Sequence, residues 1–398
     1  MELLTTEQKN KVLSSMMSII EQRAEDILQA NQQDLAAFQR DDQALYDRLV
    51  VDKKKIEGMI QAIATVQGQP DPIGQIRSSG VLDNGLRIEN RTAPFGTILI
   101  IYESRPDVTI EAAVLAFKAN NKILLKGGKE AIHSNKILVE CWHDALRQNG
   151  LTTDWIKLIT LDREATRAFL KNPDEPIDLI VPRGGEQLIA FVKEHARCAV
   201  LVSGRGNNFA YIASDADWER LLDVVVNAKM DKISACNALD KILIDSKTSD
   251  LERKLAELKK RLAPYSVQTL ADEHILPLLE GAEPIADESV WYEEFLAPKI
   301  CIGTIDSLPS AISWINKYSG GHSNVIFTAD AQQADEFMEQ VDSAAVYHNA
   351  STRFTDGGAM GVGAELAIST DKLHHRGPLG LEQLVTNKYY VYGDGQTR

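Results

Sequence analysis

Cys236 is the residue of this sequence best placed to act as a nucleophile. It sits in Lys232-Ile233-Ser234-Ala235-Cys236-Asn237-Ala238, a small and polar stretch between a predicted helix over 215–232 and a predicted strand near 241–244. Loops held at such a junction by a rigid scaffold are where reactive groups concentrate. Lys229 and Lys232, just upstream, would favour the thiolate. The other cysteines read differently: Cys198 and Cys301 fall inside apolar strand-like runs, and Cys141 lies in a helix beside Trp142, settings of inert buried thiols. No C-x-x-C spacing and no H-x-x-x-H pair occurs, so neither a zinc site nor a disulfide framework is expected.

Two further constellations suit anions. Strand-like runs lead directly into Lys126-Gly127-Gly128-Lys129 and Arg183-Gly184-Gly185-Glu186, each followed by a predicted helix. A glycine pair lets the backbone approach a ligand, and the helix N-terminus beyond it offers N–H groups to a phosphate. Either pair alone could be a tight turn, but two of them, each with a basic residue before the glycines, point to a nucleotide site even though no complete G-x-G-x-x-G occurs. The third constellation runs from Asn349 to Thr370. Its Arg353 could hold a carboxylate or phosphate, with Ser351 and Thr352 as extra donors, or the stretch could be a glycine-rich connection with a surface arginine.

The elements that must position these groups follow from periodicity. Thr5 with Gln8 forms a capping-box signature, and Val12, Met16, Ile19, Ile20 and Ile27 then repeat at helical spacing, with a second helical stretch over about 51–66. Around Asp83-Asn84-Gly85, short alternating arms predict a hairpin. It has little core of its own and could pair with another chain or with the C-terminal Tyr389 to Tyr392 run. From 97 to 202, strand-like runs at 97–102, 122–125, 155–160, 177–181 and 198–202 alternate with helical segments, which implies a parallel sheet covered on both faces. A second α/β pattern has strands near 241–244, 299–302, 324–327 and 345–347. A domain boundary is expected near Lys229.

Composition narrows the partners. At 398 residues the chain needs more than one domain, and its apolar 44% and charged 25% are ordinary for globular proteins. A net charge of -14 argues against nucleic acid, so any anionic ligand must be met by locally placed cations and helix ends. With no apolar run near the roughly 20 residues needed to span a bilayer, and no disulfide pattern, a cytoplasmic protein is expected.

Taken together, KISACNAL around Cys236, YESRPDV from Tyr102, LLKGGKEA, VPRGG, NASTRFTDGG and ISTDKLHHRGP resemble the gamma-glutamyl phosphate reductases, a family of the aldehyde dehydrogenase superfamily. The resemblance runs from the N-terminal helices to about Tyr390. It implies an aldehyde dehydrogenase-like α/β fold: two Rossmann-like parallel-sheet domains plus a β-hairpin oligomerisation element. The expected divisions are a nucleotide-binding domain over 1–228 interrupted by the hairpin at 79–93, a catalytic domain over 229–365, and a return with an oligomerisation strand over 366–398.

The same resemblance implies NADPH-dependent reduction of L-glutamyl 5-phosphate to L-glutamate 5-semialdehyde, the second step of proline biosynthesis. Cys236 would form the thioester, with its own N–H and Asn237 as oxyanion donors. Lys126, Gly127, Gly128, Lys129, Arg183, Gly184, Gly185 and Glu294 would hold the cofactor, while Arg105, Asn349, Ser351, Thr352 and Arg353 would hold the substrate. Aldehyde-oxidising relatives carry a water-activating glutamate in a Glu-Leu-Gly-Gly segment where this chain reads Leu201-Val202-Ser203-Gly204-Arg205-Gly206-Asn207, which suits an acyl group that is not hydrolysed. Many members read Arg-Pro-Asn-Val where this chain has Arg105-Pro106-Asp107-Val108, and a carboxylate is no oxyanion donor. Asp240, in CNALD, begins a strand and is expected to matter little. A homodimer or larger assembly and a complex with glutamate 5-kinase are the implied partners. The competing readings are an NAD(P)-dependent aldehyde dehydrogenase that hydrolyses its thioester, a cysteine hydrolase pairing Cys236 with, for instance, His322 or His348, and a non-catalytic protein that keeps the fold as a partner-binding module.

Overall fold

The structure, a computed structural model, describes residues 2–39 and 42–398. The chain forms two compact units, one of residues 1–202, 361–367 and 379–398 and the other of residues 203–360 and 368–378.

The first unit begins with helices Thr6–Gln22, Ala24–Ala37, Gln43–Leu49 and Lys53–Gly68. The expected capping box is present: Gln8 N donates to Thr5 Oγ1 at 3.2 Å and Thr5 N to Gln8 Oε1 at 2.8 Å. Val12, Met16, Ile19 and Ile20 are buried, as their spacing on one helix face requires. Strands β1 (Ile76–Val81) and β2 (Arg87–Pro94) form the hairpin, and Gly85 supplies the positive φ of its turn at +83°. Next come β3 (Thr97–Tyr102), β4 (Lys122–Lys126), β5 (Ile156–Leu158), β6 (Leu179–Arg183) and β7 (Ala199–Val200), in the parallel order β5-β4-β3-β6-β7. The order reverses at β3 and β6, so a crevice is expected at their carboxyl ends.

The second unit carries β8 (Asn208–Ile212), β9 (Leu239–Asp245), β10 (Gln268–Ala271), β11 (Glu283–Pro284), β12 (Lys299–Ile305), β13 (Ser323–Phe327) and β14 (Ala345–His348). They lie in the parallel order β11-β10-β12-β9-β8-β13-β14. Separate apolar clusters cover the sheet. One includes Leu221, Val225, Leu255 and Leu258, and the other includes Trp291, Ile312, Ile315 and Phe337. Short strands β15 (Ile368–Ser369) and β16 (Gly377–Pro378) pair antiparallel. The chain ends in β17 (Val385–Tyr392), which pairs along all of β2. Of the two partners open to the hairpin, the C-terminal run of the same chain is therefore one that it takes.

Strands β8 and β10 are absent from the periodicity reading. Strand β8 hides because it opens on Asn208, directly after Asn207, yet it lies between β9 and β13 and carries the second sheet. Its place explains where the units divide. The expected boundary between 228 and 229 falls within helix Trp218–Met230, which packs on the second unit's sheet through Leu221 and Val225. Among the described residues, no helix is long and apolar enough to cross a membrane, and no group of three or more His, Cys, Asp or Glu could hold a metal.

One buried contact limits where a ligand phosphate can bind. The N-terminus of helix Ile132–Gln148, downstream of the first glycine pair, is taken by Asp34, whose carboxylate accepts from His133 N at 3.0 Å, Ser134 N at 2.8 Å and Ser134 Oγ at 2.6 Å. Replacing Asp34 with Ala should cost about 1–3 kcal/mol in urea unfolding, since it strands buried N–H groups, while leaving dinucleotide affinity near that of the parent protein.

Candidate active site

In the second unit the cysteine turn lies at the amino end of β9, directly after helix Trp218–Met230. Cys236 is half-buried. Its carbonyl accepts from Asn208 Nδ2 at 2.8 Å, and the same buried amide donates to Gly206 O at 3.0 Å and Ala238 O at 2.7 Å. Asn208 Oδ1 in turn accepts from Ser323 N at 3.0 Å. One side chain thus joins the segment before β8, the turn before β9 and the start of β13. Gly206 completes the contact: a Cβ there would collide with the backbone of Cys236. Sequence reasoning missed both residues, although an Asn-Asn pair at a strand start and a glycine two residues before it were visible.

Asn237 is committed to the 349–355 loop. Its Nδ2 donates to Thr355 O at 2.9 Å and Arg353 O at 3.3 Å, its Oδ1 accepts from Arg353 Nη1, and its carbonyl accepts from Thr352 Oγ1 at 2.7 Å. Its side-chain amide is therefore directed at main-chain carbonyls rather than at an incoming oxyanion. Arg353 also pairs with Asp231 through Nε at 3.0 Å. Where a two-pronged anion clamp was expected, two of its nitrogens lock the loop to the cysteine turn. Ser351 Oγ accepts from Arg353 N at 3.3 Å, and Thr352 is fully buried. Asn349 takes a left-handed φ of +53° and holds the end of β13 through Nδ2 to Thr328 O at 2.8 Å. The structure thus gathers Asn237, Ser351, Thr352 and Arg353 into one loop pair and gives each a structural partner.

Below that loop a buried chain of hydroxyls runs inward. Ser323 Oγ donates to Thr355 Oγ1 at 2.7 Å, Tyr347 Oη lies 2.7 Å from the same oxygen, and His322 Nδ1 lies 2.7 Å from Ser323 Oγ. Burial pushes His322 down to about 4, so the ring is neutral at pH 7. His348 Nε2 faces Thr328 O at 3.0 Å and Asn349 Nδ2 at 2.9 Å. Both histidines of the hydrolase reading are thus engaged elsewhere in the fold.

The thiol environments separate the cysteines. Burial pushes Cys141 up to about 11 and Cys301 up to about 12, and raises Cys198 as well. Lys229, expected to favour a Cys236 thiolate, is instead fully buried and paired with Asp240 at 2.7 Å. Asp240 is correspondingly more than a strand start, because its second oxygen accepts from Phe295 N at 2.8 Å. That contact fixes the segment bearing Glu294. The adjacent Glu293 pairs with Lys299 at 3.4 Å.

In the first unit, Lys126 and Arg183 are the last residues of β4 and β6, and Arg105 lies three residues beyond β3; the strand order reverses between β3 and β6. Lys126 is half-buried, and desolvation lowers its pKa despite Glu130 and Asp162 nearby. Lys129 is exposed. Arg105 lies 3.8 Å from Asp107 in the first turn of helix Pro106–Lys118, which places a carboxylate beside the guanidinium. The two glycine pairs differ in what they do. A Cβ at Gly127 would collide with Asn135 and approach Tyr102 at 3.1 Å, so that glycine is required by packing. Gly128 would meet the mobile end of Glu130 at 2.9 Å and Ser104 at 3.3 Å. Gly185 has open space around it and caps helix Glu186–His195 with no side-chain bond. Gly184 packs against Leu188 and Glu103, and Gly185 N donates to Glu103 Oε1 at 3.4 Å, a long and exposed bond that a pyrophosphate would replace. An exposed, glycine-started helix end at the strand-order reversal, with Arg183 before it, fits a dinucleotide pyrophosphate.

The aldehyde dehydrogenase family model matches residues 1–276 and 282–365. Gamma-glutamyl phosphate reductase of Enterococcus faecalis is 42% identical over 398 residues, covering 100% of this chain and 95% of the relative. The enzyme of that name from Persephonella marina is 40% identical over 405 residues, covering 99% and 90%. This chain belongs to the gamma-glutamyl phosphate reductase family of the aldehyde dehydrogenases. The solved structure of gamma-glutamyl phosphate reductase from Thermotoga maritima agrees, with a TM-score of 0.94 at 38% identity over 99% of this chain and 95% of that one. Membership of the aldehyde dehydrogenase family implies a nicotinamide cofactor.

Two outcomes follow from this geometry. Gly206→Ala should abolish turnover while leaving far-UV circular dichroism unchanged, because the added methyl displaces the Cys236 backbone. Limited alkylation with iodoacetamide at pH 8, read by peptide mass spectrometry, should label Cys236 before Cys141 and Cys301, whose raised pKa values keep them as buried thiols.

Proposed function

We propose that the chain reduces L-glutamyl 5-phosphate to L-glutamate 5-semialdehyde and phosphate, with NADPH as the hydride source, as a step of proline biosynthesis. The observation that carries the reading is the cysteine turn, with Cys236 half-buried on a backbone gripped by Asn208 and packed against Gly206. Around it the chain matches gamma-glutamyl phosphate reductases over its full length.

The Cys236 thiolate attacks the acyl carbon, the C–O bond to phosphate breaks, and a thioester remains on Sγ. Charge builds on the carbonyl oxygen, for which the Cys236 main-chain N–H is the donor in this reading. A nicotinamide, once held, would supply the hydride for the thioester carbon; the tetrahedral adduct on Cys236 Sγ would then break its C–S bond, freeing the aldehyde and returning the thiolate. Residues 203–207 carry Arg205 and no carboxylate, so no side chain there can raise hydroxide against the thioester. Arg353, fixed by Asp231 and Asn237, shapes the substrate side of the turn together with Asn349, Ser351 and Thr352, and Arg105 is the further substrate cation of this reading.

For the cofactor, Arg183, Gly184 and Gly185 with the following helix end hold the pyrophosphate. Lys126 and Lys129 supply positive charge for a 2′-phosphate, which favours NADPH over NADH, and Glu294 holds the nicotinamide ribose. Gly127 and Gly128 shape the turn between the two lysines. The three-stranded sheet of β1, β2 and β17 exposes Ile76, Val81, Tyr389 and Val391, which supports a homodimer or larger assembly through that sheet. A complex with glutamate 5-kinase would shield a substrate prone to cyclise, and a cytoplasmic setting suits both.

Incubation with glutamate semialdehyde, NADP+ and phosphate should form NADPH only when phosphate or arsenate is present. Cys236→Ala should lower the rate by at least about 10³-fold. Turnover without phosphate would instead favour an aldehyde dehydrogenase that hydrolyses its thioester, and turnover surviving Cys236→Ala would remove the covalent mechanism.

A further inference from the structure

Strand β9 opens irregularly: Leu239 pairs with Asn208 and Lys241 with Phe209, so Asp240 is an extra residue in the strand. Such bulges re-aim side chains, often beside functional sites. Here the two consecutive residues Asp240 and Lys241 act on one segment, Glu293–Pro298. Asp240 Oδ2 accepts from Phe295 N at 2.8 Å, and Lys241 Nζ donates to Glu293 O at 2.8 Å while lying 3.4 Å from the centroid of the Phe295 ring. These bonds fall immediately before and immediately after Glu294. The backbone that carries Glu294 is therefore gripped on both sides from a single point on β9.

The charges behind this grip are committed to it. Lys229 and Lys241 are fully buried, Asp240 is nearly so, and the second Asp240 oxygen is held by Lys229 at 2.7 Å. Lys299, on the neighbouring β12, adds its ion pair with Glu293 and lies 4.4 Å from the Phe295 centroid. Burying charges is costly unless they are paired and hydrogen-bonded, so a connection between strands gains nothing from such an arrangement merely as a connection. The segment also carries backbone strain. Leu296 has a left-handed φ of +48° although it is not a glycine, and it is exposed. Strain of this kind persists where the surroundings over-determine the backbone, and it clusters at ligand-binding sites.

We propose that Asp240 and Lys241 are positioning residues that fix Glu294 against the cofactor's ribose, with Lys229 holding Asp240 in its working orientation. The proposal rests on the reading of Glu294 as a dinucleotide ligand. It assigns to the bulge a role in cofactor affinity and none in forming the thioester, because neither residue contacts the loop of Cys236 through these bonds.

The test uses the full-length chain and two separate readouts: NADPH affinity by fluorescence titration, and acylation of Cys236 by acetyl phosphate without dinucleotide, read by mass spectrometry. Lys241→Met keeps the stem over Phe295 and removes the donor to Glu293. Asp240→Asn keeps an acceptor for Phe295 N and removes the charge facing Lys229. Each should weaken NADPH binding roughly tenfold or more, as expected for losing a buried charge-assisted hydrogen bond, and should keep the parent acylation rate. Glu294→Gln should weaken binding as well, and adding Lys241→Met to it should cost less than the two changes summed. If Glu294→Gln weakens binding but neither bulge variant does, the positioning role is wrong. If Glu294→Gln has no effect, the Glu294 reading itself fails and takes the proposal with it. Loss of acylation together with binding in both bulge variants would show a merely structural role and would also overturn the proposal.

Discussion

The chemistry of the second unit depends on one buried amide. Asn208 has to satisfy its own polar atoms away from water, and it does so by bonding to Gly206, Cys236, Ala238 and Ser323. Apart from Gly206, those partners lie 28 to 115 residues away, so the bonds fix the backbone of Cys236 relative to three strand starts at once. The absence of a Cβ at Gly206 permits that close packing. The reactive turn therefore sits at the amino ends of β8, β9 and β13, whereas parallel sheets usually bind ligands at the carboxyl ends of their strands. In the first unit the cationic groups Arg105, Lys126 and Arg183 lie at the carboxyl-end side of β3, β4 and β6.

The cations resolve the tension between a chain of net charge -14 and anionic ligands. Several are not available to a ligand at all. Lys9 is held by Asp71 at 2.8 Å, Lys118 by Asn10 and Gln67, and Lys229 by Asp240. Burial lowers the pKa of each of them, and that of Lys241 to about 8, so the fold must provide acceptors to keep them charged. Arg353 belongs partly to this group because Asp231 and Asn237 engage two of its nitrogens. Lys126, Lys129 and the Arg183 turn lie instead at exposed or half-exposed strand ends, where a phosphate can reach.

Composition and spacing made much of the architecture legible. Alternating apolar runs and helical segments gave the parallel sheets, Asn84-Gly85 gave the hairpin, and small polar neighbours singled out Cys236. Strand β8 escaped because its first residue is a polar side chain whose partners lie mainly in the turns before β8 and β9, and the unit boundary was displaced with it. The two glycine pairs looked alike as sequence. Both first glycines are crowded, Gly127 by Asn135 and Tyr102 and Gly184 by Leu188 and Glu103; the pairs differ at the helix end beyond them, which Asp34 holds through short buried bonds in one case and Glu103 meets only at 3.4 Å in the other.

The sequence by itself determined the local properties: which segments are helical or extended, which thiol lies in a polar turn, and which motifs mark the reductase family. Only the tertiary structure decided what each polar side chain does. Asn237, Thr352 and Arg353 resembled catalytic and binding groups but are fastened to one another, and Asp240, which looked incidental, holds the segment that bears Glu294. The physical reason is that a donor or acceptor has its role set by the partner that satisfies it once water is excluded, and decisive partners lie far along the chain, 55 residues for Asp240 and Phe295 and 118 for Asn237 and Thr355.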